Sequence, residues 1–159
     1  MDNLDQVILH AARLGNTEVL EELINRQINV NVQDDKGYTP LIIACYNNQY
    51  NAAKLLLKAN ADVNASDFGG NTALMGVSFK GYPDIAELLI SYGADLNMQH
   101  GNGGTALMFA AMFGRNELVR ILLKHGADRH IVDVRGLSVY DLAIQQGNEE
   151  ALVILEEQQ

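Results

Sequence analysis

The chain is poor in the residues on which several function classes depend. One cysteine, Cys45, stands in 159 residues. No disulfide can form within the chain, which fits a reducing compartment and leads to the expectation of a cytoplasmic protein. One Cys and four scattered His match no zinc-ligand spacing. No apolar run approaches the roughly 18 residues of a membrane helix, so no membrane role is expected. Lys and Arg number 11 against 20 Asp and Glu, a net charge of -9. No basic cluster offsets this locally, and nucleic acid or an anionic membrane is a poor partner for such a surface. The opening Met1-Asp2-Asn3-Leu4-Asp5 is acidic, so no secretory leader is expected. Apolar residues make up 48% and charged residues 19%, a mixture that folds, at a length that suits one domain.

What is present is repetition. Gly37-Tyr38-Thr39-Pro40-Leu41 recurs as Gly70-Asn71-Thr72-Ala73-Leu74 and as Gly103-Gly104-Thr105-Ala106-Leu107, with a worn copy at Gly136-Leu137-Ser138-Val139-Tyr140. The leading glycines are always 33 residues apart. Ala61-Asp62-Val63-Asn64, Ala94-Asp95-Leu96-Asn97 and Ala127-Asp128-Arg129-His130 keep the same step. So do Gly15, Asn48, Gly81, Gly114 and Gly147. A fixed period of this length marks stacked supersecondary units.

These motifs resemble the ankyrin repeat over nearly the whole chain. The resemblance implies an all-α solenoid of helix-turn-helix units joined by β-hairpin or loop fingers. Five units fit: 1–33 as N-cap, 34–66, 67–99, 100–132, and 133–159 as C-cap. The Thr-Ala-Leu-Met openings resemble those of bacterial ankyrin proteins. The family's Thr-Pro-Leu-His is not kept. Ile42, Met75, Met108 and Asp141 hold the His position, so the usual polar network there is absent or rebuilt.

The physical reading agrees. Thr39, Thr72, Thr105 and Ser138 precede apolar runs and suit N-caps. Pro40 and Pro83 suit position N1. Asn48, Gly81 and Gly114 end first helices, while Asn60, Gly93 and Gly126 end second helices, all by reaching the left-handed conformation. Gln27 breaks this rule, and a looser turn is expected there. The second-helix stripes Ala52, Ala53, Leu55, Leu56; Ile85, Ala86, Leu88, Leu89; and Leu118, Val119, Ile121, Leu122 have helical spacing.

No catalytic constellation is found. Gly69-Gly70 and Gly103-Gly104 are turn glycines locked to the repeat and make no phosphate loop. Cys45 takes a small-residue position and reads as a buried structural thiol. His125 ends a helix, where the dipole accounts for it. His100 replaces the Asp of sibling fingers and reads as a solvated hairpin residue. No enzyme activity and no cofactor are expected.

A partner protein is expected to bind at two places that the resemblance implies: the hairpin tips and the exposed face of the first helices, which lines a concave groove. Carried over by position, the tips offer Lys36, Tyr38, Phe68, Asn71 and Arg135. The groove offers Ile43, Tyr46, Asn47, Phe79, Lys80, Phe109, Met112 and Phe113. Six of the ten aromatic residues fall in these sets, and exposed aromatics mark binding surfaces. The expectation is a monomeric, non-enzymatic protein-binding module of the inhibitor or immunity type. The alternative is a structural protein that self-associates through the aromatic groove.

Overall fold

A computed structural model describes residues 2–157. By its internal contacts the chain forms two compact units, Met1–Ala73 and Leu74–Gln159. The first holds α1 (Asn3–Leu14), α2 (Thr17–Asn25), α3 (Pro40–Tyr46) and α4 (Tyr50–Lys58). Here α1 packs on α2 and α3, while α4 packs on α2 and α3. The second unit carries α5 (Ala73–Lys80), which opens at the division, then α6 (Pro83–Ser91), α7 (Ala106–Met112), α8 (Asn116–Lys124), α9 (Val139–Gln145) and α10 (Glu149–Glu157). Its α7 packs on α8 and α9, and α10 packs on α8 and α9. First helices thus layer on first helices, and second on second. Among the described residues no strand forms, and Ser66 and Thr72 make an isolated antiparallel bridge.

The cap residues act as their chemistry predicts. Thr39 Oγ1 accepts the Ile42 N–H at 3.1 Å, and Thr105 Oγ1 accepts the Met108 N–H at 3.3 Å. Each satisfies one of the orphan donors of a helix start. Pro40 and Pro83 open α3 and α6. The substituted His position is rebuilt at Asp141. Asp141 Oδ2 accepts from the Ser138 N–H at 2.9 Å while Ser138 Oγ accepts from the Asp141 N–H at 3.3 Å, a reciprocal cap. Ile42, Met75 and Met108 are buried.

The Gln27 turn is not looser. Gln27 takes φ 60°, beside Asn60 at 68° and Gly126 at 92°. Its N–H reaches the Ile24 carbonyl at 2.9 Å, and the Ile28 N–H reaches Leu23 at 3.1 Å. The same pair closes the turn at Asn60 and Ala61. The two hydrogen bonds override the preference of a Cβ-bearing residue for negative φ.

The stripes are the core. Leu20, Leu56, Leu89, Leu118 and Leu122 are fully buried. Leu55 and Ile121, expected within the stripe, lie half-buried at its margin.

Candidate functional site

Each finger is a turn wound around one side chain. Asp34 Oδ1 accepts the N–H groups of Lys36 and Tyr38, both at 2.9 Å. Asp67 Oδ1 does the same for Gly69 and Asn71. Asp133 Oδ1 takes Arg135 at 2.9 Å and Leu137 at 3.0 Å. The Asp133 side chain is 7% exposed. The Leu137 N–H, aided by Arg135 and opposed by burial, holds its carboxyl below the usual carboxylate range.

His100 is a working part of its finger, not the solvated residue expected from sequence. Its Nδ1 accepts the Gly104 N–H at 2.9 Å, the bond that Asp supplies elsewhere. The ring proton therefore sits on Nε2. The ring meets Phe109 edge-on, with centroids 5.0 Å apart at 69°. Gly104 makes room for it: a Cβ there would lie 2.9 Å from His100 Cε1. Sibling fingers carry Tyr38, Asn71 and Leu137 at that place.

A cavity of about 450 Å³ lies between this finger, the next finger and helices α7 and α9. Met108, Phe109, Met112, Val134 and Leu142 give it apolar walls, and His100, Asn102, Asp133 and Arg135 give it polar ones. Three of the expected site residues, Phe109, Met112 and Arg135, meet here. Two more aromatics stand in the same unit. Phe79 and Phe113 pair edge-to-face at 4.6 Å and 73°, and Phe113 keeps 45% of its surface exposed.

In the first unit, Lys36, Tyr46 and Asn47 are exposed, and Tyr38 and Asn71 are half-buried. Phe68 is 71% exposed, yet one edge of its ring lies against Gly37. Ile43 is 4% exposed and offers a partner almost nothing. It packs inward because α3 is apolar on nearly every side. Lys80, in the second unit, is half-buried.

Several positioning residues were not singled out from sequence. Gln33 Nε2 donates to the Gly37 carbonyl at 3.0 Å and the Ser66 carbonyl at 3.1 Å. Gln99 repeats this with Gly103 at 2.8 Å and Val132 at 3.1 Å. Asn31 and Asn97 accept the N–H groups of Asp62 and Asp128, both at 2.9 Å. The Phe68 N–H donates to Lys36 at 3.1 Å, and the Val134 N–H to Asn102 at 3.0 Å. These bonds lock finger to finger within each unit, so the tips are held rigid. Gln33 and Gln99 lie two repeat periods apart, and that spacing was the available signal.

His125 Nε2 lies 3.1 Å from Glu87 on α6. Burial pushes the Cys45 thiol far above its ordinary range, so it stays protonated and inert. Among the described residues, no three His, Cys, Asp or Glu side chains converge as a metal set. No helix among them is long and apolar enough to cross a membrane.

The family model described as ankyrin repeats (3 copies) matches residues 2–67 and 74–158. The chain belongs to the ankyrin-repeat family. Among the described residues, its ten helices and capped fingers are those of an ankyrin solenoid, and ankyrin repeats are a non-catalytic fold that generally mediates protein–protein interaction. A transient receptor potential cation channel subfamily A member 1 homolog of Caenorhabditis elegans is 44% identical over 61 residues, covering 38% of this chain and 5% of that protein. An ankyrin repeat protein of fowlpox virus is 43% identical over 58 residues, covering 36% and 14%. The palmitoyltransferase akr1 of Emericella nidulans is 36% identical over 59 residues, covering 36% and 8%. The chain thus spans a small part of each of these relatives, and the likeness is one of ankyrin repeats.

Proposed function

We propose that this ankyrin protein is a non-enzymatic binding module that captures a partner protein on its finger tips and first-helix faces. The observation that carries the reading is the cavity at His100, Phe109 and Arg135. It lies where a tip meets a first helix, and the finger-to-finger hydrogen bonds hold it in shape. A rigid concave apolar surface with a few polar groups binds with little ordering cost. Exposed Tyr46, Phe68 and Phe113 extend the apolar surface in their respective units, and aromatic side chains dominate binding hot spots.

Narrower proposals follow from the same reading. The chain is a single array of five units, 1–33 to 133–159, and acts in the cytoplasm. It is monomeric when free and works as an inhibitor or immunity-type protein, blocking a partner by occupying it. The net charge of -9 favours a partner with a basic rim. A second reading, self-association through the aromatic first-helix face, is favoured by the 45% exposure of Phe113.

Capture from host lysate separates the two, using wild type and a Phe79→Ala/Phe113→Ala variant whose helicity and melting are verified. Binding predicts a protein held by wild type and lost by the variant, with wild type eluting as a monomer. Identical captures by both would refute this placement of the site. A wild-type dimer that the variant dissolves would establish self-association instead.

A further inference from the structure

We infer that the cavity between the third and fourth fingers receives one aromatic side chain of the partner protein, entering without a positive charge. The inference rests on the protein-binding reading above and names what that site recognises.

The walls argue for an aromatic occupant. Met108 and Met112 bring two thioethers to the cavity, and methionine sulfur packs favourably at about 5 Å from an aromatic ring. Phe109, already edge-on to His100, lines the same space and offers a ring for offset or edge-to-face contact. A volume of about 450 Å³ admits a tryptophan or tyrosine side chain with part of its flanking backbone.

The hydrogen-bonding inventory argues against a cation. An ionised carboxylate has about four acceptor sites, and the Asp133 carboxylate uses four. Oδ1 takes the Arg135 and Leu137 N–H groups, while Oδ2 takes Arg135 Nε at 3.3 Å and Nη2 at 2.9 Å. The His100 Nδ1 acceptor is taken by Gly104, and the Asn102 carbonyl takes the Val134 N–H. His100 Nε2–H remains as a donor, as does the outer edge of the Arg135 guanidinium. The Asn102 side-chain amide can do either. An incoming ammonium would meet a guanidinium and find no carboxylate lone pair. A backbone carbonyl, a tyrosine oxygen or a tryptophan ring placed beside a carbonyl finds donors.

The test uses the full chain, labelled with nitrogen-15, and four soluble probes: the N-acetyl amides of tryptophan, tyrosine, leucine and lysine. Backbone amide signals of Gly104, Phe109 and Val134 are followed as each probe is titrated. The tryptophan and tyrosine probes are expected to shift these signals saturably, at least tenfold more tightly than the leucine and lysine probes. Gly104→Leu, which copies Leu137 of the next finger, puts a side chain where the His100 ring lies, displaces that wall and crowds Phe109, and should weaken the aromatic probes at least tenfold. His100→Asp, which copies the sibling fingers, removes a wall and the Nε2 donor and should weaken them severalfold while keeping the turn. Equal shifts from tryptophan and either leucine or lysine would overturn the inference. So would the absence of any shift at these three amides, or aromatic binding unchanged in folded Gly104→Leu and His100→Asp proteins. The probes are read at the cavity itself and need no partner, so this inference and the capture experiment fail separately.

Discussion

Gln27 offers a clean test of how the repeat terminates its helices. It is an exposed residue held at φ 60° by two backbone hydrogen bonds. A left-handed conformation costs an L-residue about 1–2 kcal/mol. Glycine escapes that cost and gives back about 0.5–1 kcal/mol through its freer unfolded chain. Gln27→Gly should therefore stabilise the protein by about 0.5–1 kcal/mol, or roughly 1–4 °C in Tm at this chain length. The reverse change has its own site. Gly126 sits at φ 92°, and beyond its own chain neighbours no heavy atom lies within 4 Å of where a Cβ would stand. The Cβ of a Gln at 126 meets no clash and the position is exposed, so its cost is conformational, about 1 kcal/mol in the opposite direction. Urea titration followed by helicity measures both, with the slope unchanged if only stability moves. A Gln27→Gly protein less stable than wild type would refute the reasoning. A Gly126→Gln protein equal to wild type would refute it as well.

Further outcomes follow from burial and charge. Leu122, fully buried on α8, should cost about 2–5 kcal/mol when cut to Ala, read as a lower denaturation midpoint. Cys45, fully buried with its thiol pushed up by desolvation, should react with a disulfide reagent only after denaturant is added. Fast reaction in the native protein would contradict its burial. The Asp133 carboxyl is held below its ordinary value in the folded chain. Its contribution to stability is therefore complete above the unfolded pKa of about 3.9 and is lost as pH falls through the lower folded value. Asp133→Asn should flatten the acid limb of the stability curve, as measured by melting between neutral pH and pH 2.

Much of the fold was legible because the repeat states each rule several times. Thr39, Thr105 and Ser138 mark helix starts by a chemistry that needs no tertiary context. The glycines at 33-residue steps mark the turns in the same way. Gln27 misled because its side chain argues against a left-handed turn, while the two bonds that impose the turn come from backbone and leave no mark in the side-chain pattern. Ile43 misled for a related reason. Its register places it with the first-helix face, yet α3 carries Leu41, Ile42, Ala44 and Cys45 beside it and is buried through all of them. The cavity was half legible. Phe109, Met112 and Arg135 were read from their columns, but the wall that His100 and Gly104 form together was not. Each is an ordinary substitution alone. Their joint effect, a ring lying where a side chain would stand, is a matter of distance and not of composition.

The most direct test of the binding account is amide hydrogen exchange on the full chain, with and without the captured partner. The account predicts added protection concentrated in residues 100–113 and 133–142, the two fingers and first helices that line the cavity. Protection confined to the second helices α8 and α10, with the fingers unchanged, would contradict it.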